Sequence, residues 1–136
     1  MRTIYKTITL TIDDLPREFR LKKLDAFSGA FLLRMLLKHV PEGDASLIST
    51  QSLVNLIFTE LSEEELRALM TTCLNHTEVL LEAGYHPVMI KNEWGFPDLE
   101  YDTGSCLKLT MESVLWTLSG FFAGSGSASR PAVSPA

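Results

Sequence analysis

The stretch "TIYKTITLTIDDLPREFRLKKLDAFSGAFLLRMLLKHV", residues 3–40, decides the fold, because its hydrophobic period changes partway along. Over 3–12 the residues alternate. Ile4, Lys6, Ile8, Leu10 and Ile12 fall on one face, and Tyr5, Thr7, Thr9 and Thr11 on the other. Period two with β-branched residues predicts a strand with one buried face. "DDLPRE" then supplies Asp, Pro and charge for a turn. "EFRLKK" alternates again, with Phe19 and Leu21 inward and Arg20 and Lys22 outward. A hairpin follows, and an isolated hairpin is marginal, so it must pack on helices or gain strands. After Asp25, a helix cap, the period becomes helical and runs until Pro41. That helix has a broad apolar face (Ala30, Leu32, Leu33, Leu36, Leu37, Val40) and a second stripe of Phe27, Phe31 and Met35, flanked by Arg34 and Lys38. Two apolar faces suit a helix sandwiched in the core, or one whose Phe/Met stripe meets another subunit or a partner helix.

Beyond this stretch, "PEGDA" (41–45) reads as a loop and Thr50 to Thr59 as a helix. In "LSEEELRALMTTCLNH" (61–76), Ser62 and Glu65 form a capping box and Leu61 and Leu66 its staple. Leu66, Leu69, Met70, Cys73 and Leu74 follow at helical spacing. Glu63 and Glu64 sit where the helix dipole favours them, so their charge is start chemistry rather than catalysis. Val79–Leu81 and Val88–Ile90 read as short strands that add to the hairpin's sheet. "WGFPDLEYDTG" (94–104) reads as an aromatic, acidic loop. Thr103 or Ser105 opens a last helix that runs to about Phe122. Leu107, Met111, Val114, Leu115, Leu118, Phe121 and Phe122 form its main stripe, with Leu109, Trp116 and Ala123 opposite. The expected fold is α+β and mostly helical: about four helices, an N-terminal β-hairpin, and one or two further short strands. Residues 1–123 make one globular domain. Residues 124–136, rich in Gly, Ser, Ala and Pro, make a flexible tail with too little apolar surface to offset ordering.

Composition narrows the function. The chain has 136 residues, enough for one domain and one core. Seventeen acidic against twelve basic residues give a net charge of −5, which argues against neutralising nucleic-acid phosphates. No span supplies the ~20 apolar residues of a membrane helix: Lys108 and Glu112 break the best candidate, 107–123. The opening residues alternate rather than form an apolar run, so no signal peptide is expected, and two cysteines are too few for a secreted disulfide scaffold. A cytoplasmic location is expected.

Chemistry-bearing motifs are sparse. Cys73 and His76 share a helix, but zinc takes about four ligands, and His39 and His86 supply no second pair. Cys106 opens the last helix, a position that lowers a thiol pKa, yet no base or orienter accompanies it. Asp98, Glu100 and Asp102 read as a solvated segment rather than a cation site. Neither metal nor cofactor is expected. What remains is surplus apolar surface, the mark of binding. The candidate partner or self-association residues are Phe27, Phe31 and Met35 on the first long helix and Trp116, Phe121 and Phe122 on the last.

One family has this arrangement. "ITLTIDDLPREFRLKKLDAFSGAFLLRMLLK" (8–38) gives two strands, the second ending in Lys-Leu-x-Ala and running into a helix. A mid-chain helical pair, a Gly/Pro break and a closing helix ending in "SGFF" (119–122) follow. Over about residues 4–123 this resembles the tail assembly chaperones of long-tailed bacteriophages. The resemblance implies a non-enzymatic morphogenesis factor in the host cytoplasm, mostly helical with a small strand element. It implies homo-oligomerisation, binding and solubilisation of the tape measure protein, recruitment of tail tube subunits, and absence from the mature virion. In many such phages a frameshift near the end of the short product makes a longer form. Two other readings stand beside it: a structural tail completion or connector protein retained in the virion, and a small enzyme using Cys106 or the acidic loop.

Overall fold

The computed structural model describes residues 4–39 and 50–129, with side chains described over 4–39 and 51–119. The loop at 41–45, Val40, the side chains of Phe121 and Phe122, and residues 130–136 of the expected 124–136 tail lie outside the described residues.

The opening stretch folds as its period dictates. β1 (Tyr5–Ile12) and β2 (Leu15–Lys22) pair antiparallel in the register Ile12↔Leu15, Ile8↔Phe19, Tyr5↔Lys22. Asp13 and Asp14 form the two-residue turn with φ of 52° and 66°. Short carboxylate side chains tolerate this left-handed region, which the right-handed twist of a hairpin requires. Leu15 and Pro16, read as turn residues, belong to β2. β3 pairs with β2 over Phe19–Leu21 and stops short of Pro16, so its missing N–H costs no ladder bond. The sheet continues through β3 (Thr77–Leu81) and β4 (Gly84–Pro87) in the order β1-β2-β3-β4, all antiparallel. Gly84 closes the β3–β4 turn at φ 120°, a conformation side-chain-bearing residues avoid.

Val88–Ile90 does not add a strand to this sheet as expected. Val88 donates its N–H to Thr77 O at 3.0 Å, and the chain then turns away. β5 (Met89–Ile90) and β6 (Glu93–Trp94) make a separate small hairpin through Lys91 and Asn92, at φ 50° and 68°. The reason lies at Gly95. Its N–H reaches Val88 O at 2.8 Å, and a Cβ there would sit 2.5 Å from Pro87 O. The segment 94–104 is not all loop: it begins in β6 and includes a short 3-10 turn, Pro97–Leu99.

Four α-helices lie among the described residues: α1 (Ala26–Leu37), α2 (Thr50–Thr59), α3 (Glu63–Leu74) and α4 (Thr103–Ser129). Asp25 caps α1, accepting from Phe27 N–H at 3.2 Å and Ser28 N–H at 3.1 Å. Ser62 and Glu65 form the expected capping box on α3. Asp102 caps α4 through Ser105 N–H at 3.0 Å, so one member of the acidic cluster is a cap. α4 runs beyond Phe122 to Ser129, so residues 124–129, expected in the tail, continue the helix past Gly124 and Gly126, with no proline before Pro131.

The core has two parts. Phe19, Leu21 and Val79 from the sheet pack with Leu74, Met89, Phe96, Leu99, Cys106 and Leu109. Leu32, Met35 and Leu36 of α1 pack with Leu53 and Ile57 of α2, Leu69 and Cys73 of α3, and Val114 and Leu118 of α4. Leu109 is therefore not opposite the buried surface of α4. The helix is buried on two sides, Cys106 and Leu109 toward the sheet and Val114 and Leu118 toward the other helices. Between them Thr110 and Ser113 are buried as well. Thr110 Oγ1 donates to Cys106 O at 2.8 Å, which satisfies its hydroxyl inside the helix. No helix among the described residues is long and apolar enough to cross a membrane.

Candidate protein-binding surface

The stripe on α1 divides in the structure. Phe27 is 88% exposed and Phe31 44%, but Met35 is only 6% exposed and sits in the helical core. An i+4 step advances about 40° past a full turn of helix. Two such steps carry Met35 around to the side of Leu32 and Leu36. The surface pair is thus Phe27 and Phe31, one turn apart, with Met35 beneath.

Below Phe31 a cleft of about 650 Å³ opens between α1 and the start of α3, with Arg34, Met35, Lys38, Ser62, Glu64, Glu65 and Ala68 around it. Glu65 holds the cleft's shape. Its Oε1 accepts from Ser62 N–H at 3.0 Å, and its Oε2 lies 2.6 Å from Lys38 Nζ. His39 Nε2 lies 3.2 Å from Oε1. The Lys38 ammonium, then the Ser62 N–H, hold this carboxyl down to about 2. At the other end of α1, Asp25 is likewise lowered to about 2, first by the Ser28 hydroxyl and then by the Ser28 N–H. Asp25 Oδ1 lies 3.2 Å from His76 Nε2, which ties the α1 start to the end of α3.

Trp116 is half-buried. It packs against the sheet-side core, and the Lys23 ammonium lies 5.9 Å from its ring centroid. The structure does not bring Trp116 together with Phe27 and Phe31 in one cluster.

The sequence reading missed a second cleft, of about 480 Å³, between α3, the β5–β6 hairpin and the start of α4. Leu66, Met70, Leu74, Met89 and Trp94 line it together with Glu63, Arg67 and Glu100. Its residues come from three separate segments that the sequence does not connect. Another unread feature is the outer face of the sheet. The Arg20 guanidinium lies between the rings of Tyr5, at 4.1 Å, and Tyr85, at 3.9 Å, and pairs with Glu78 at 2.6 Å. Tyr85 donates its hydroxyl to Glu18, which raises the phenol's pKa.

The thiols are placed for packing. Cys73 is fully buried, and burial pushes its pKa up to about 12. Cys106 is 4% exposed, donates to Leu99 O at 3.2 Å, and is pushed up by burial to about 11. A neutral, hydrogen-bonded thiol is a poor nucleophile. Among the described residues, no three His, Cys, Asp or Glu side chains gather in a metal-holding group. What the described surface does show is exposed aromatic rings, Phe27 and Phe31, beside a cleft lined in part by charged groups.

The family described as phage tail assembly chaperone protein, TAC, matches residues 14–128, from the β1–β2 turn through nearly all of α4. The chain belongs to that family. No curated protein and no solved structure matches it. Both clefts, and Phe27, Phe31 and Trp116, fall inside the tail assembly chaperone match; β1 precedes it.

Proposed function

We propose that this chaperone self-associates, binds the tape measure protein and keeps it soluble, and helps recruit tail tube subunits. In this reading it works in the host cytoplasm without enzymatic activity and is absent from the mature virion. The observation that carries it is the Phe27–Phe31 pair, exposed one turn apart on α1 beside a cleft that holds Arg34, Lys38, Glu64 and Glu65. Exposed rings at i and i+4 with charged groups around them suit the apolar face of an amphipathic helix, and a tape measure protein is a long helical chain. Trp116, Phe121 and Phe122 on α4 make a second contact region in this proposal.

Co-expression with the candidate tape measure protein tests it. The tape measure protein is expected in the soluble fraction with the chaperone and in inclusion bodies without it; insolubility in both cases refutes the reading. A tail completion or connector role is the competing assignment. Mass spectrometry of purified virions separates the two, because abundant copies in mature particles defeat the chaperone reading. A cysteine enzyme is disfavoured by the burial of Cys106, and Cys106→Ser is expected to leave function intact.

A further inference from the structure

We infer that the exposed edge of β1 pairs antiparallel with β1 of a second copy, about a two-fold axis at Thr9, joining two four-stranded sheets into one of eight. This rests on the proposed self-association and assigns its interface.

The sheet has two edges of different character. β4 is four residues long and ends in Pro87, which blunts it. β1 is eight residues long, has no proline, and carries a single charge, Lys6. Such an edge is a template for another strand. The direction of its free groups is fixed. Lys23 N–H donates to Ile4 O at 2.8 Å, so even-numbered residues of β1 face β2 in the ladder. The backbone groups of Tyr5, Thr7, Thr9 and Thr11 therefore point to the open edge.

Only a register that pairs odd residues with odd uses these groups. With Thr9 opposite its own copy, Thr7 faces Thr11 of the second chain, and every edge-facing threonine exchanges hydrogen bonds. Cross-strand Thr–Thr pairs are favourable in themselves. On the inner face the same register sets Ile8 against Leu10 of the other copy, and both are only half-buried in one chain. The charges agree as well. One end of the hairpin carries Lys6, Lys22 and Lys23, and the other the Asp13–Asp14 turn. Antiparallel pairing brings each basic end to the acidic turn of its partner, whereas parallel pairing brings like to like.

Directly opposed residues of a hydrogen-bonded pair have Cα atoms about 5.5 Å apart, within disulfide reach. The full chain with Thr9→Cys is thus expected to oxidise to a covalent dimer, the native thiols being buried. Thr7→Cys alone is expected not to cross-link, but Thr7→Cys mixed with Thr11→Cys is. Thr9→Pro removes an N–H that points away from β2 and serves no bond among the described residues. It is expected to weaken association at least tenfold by analytical ultracentrifugation, with the melting temperature nearly unchanged. Should that variant fold poorly, the cross-linking pattern still decides. Failure of Thr9→Cys to cross-link, equal cross-linking by Thr7→Cys, or full association of Thr9→Pro overturns the edge assignment while self-association stands. Loss of tape measure binding in Thr9→Pro with the dimer intact also overturns it, since the edge then holds a different chain. A wild-type chain that stays monomeric at all concentrations defeats the self-association reading, and this inference with it.

Discussion

Phe27→Ala is expected to separate binding from folding. The ring is 88% exposed, so the folded monomer gains little from it. An aromatic side chain buries 150–250 Å² when covered, which leaves on the order of 150 Å² here for a partner. At about 25 cal/mol per Å² the ceiling is roughly 4 kcal/mol. Ordering and desolvation take part of that gain, and truncation of an anchor is expected to cost ~1–2 kcal/mol of association. The corresponding change in the dissociation constant is about five- to thirtyfold. Stability by urea unfolding is expected to stay within about 0.5 kcal/mol of wild type. The assay pairs that unfolding curve with isothermal titration of the chaperone against a tape measure fragment. A fall in stability of more than about 1 kcal/mol with unchanged affinity would mean that the ring is structural, and the reasoning fails.

Other outcomes follow from the same structure. Gly95→Ala must push its new Cβ away from Pro87 O, and a loss of ~1–3 kcal/mol is expected by chemical denaturation; an unchanged midpoint means that the β5–β6 hairpin does not need the close approach. Ser62→Ala removes the α3 cap and is expected to cost ~1 kcal/mol on the same curve, against no effect if the capping box is idle. Asp25 and Glu65 are both lowered to about 2 from ordinary values of 3.8 and 4.5. Their contribution to stability is thus present above those ordinary values and is lost as pH falls toward about 2. A melting temperature that declines over this acid window, less steeply in Glu65→Gln, is expected; identical slopes refute the role of Glu65. Ellman's reagent at pH 8 is expected to leave both native thiols largely unreacted and to titrate two per chain in urea, because burial raises both pKa values.

What was legible in the sequence was local. The period of β1, the Asp25 cap and the capping box at Ser62 depend on neighbours a few residues away, and each appears where the pattern put it. What was illegible depends on distant partners. β4 is "GYHP", in which only Tyr85 favours a strand; the Leu81–Gly84 turn lays it on β3. Val88–Ile90 has the composition of a sheet strand, but the approach of Gly95 to Pro87 diverts it. Leu109 seemed to face away from the core because periodicity finds one stripe, and α4 has two buried sides. Of the surface residues, Phe27 and Phe31 were visible in the stripe on α1. Met35 shares their i+4 spacing but is carried inward by helical drift. The cleft of Met70, Met89 and Trp94 joins three segments and leaves no periodic trace.

The double burial of α4 also bears on timing. Neither part of the core can close until this helix exists, because Cys106 and Leu109 cover the sheet while Val114 and Leu118 cover the other helices. During synthesis the hairpin, α1 and α3 emerge first, with Phe19, Leu21, Leu32 and Leu36 still unshielded. A nascent chain thus carries these apolar side chains without their α4 cover until residues 103–118 have been made.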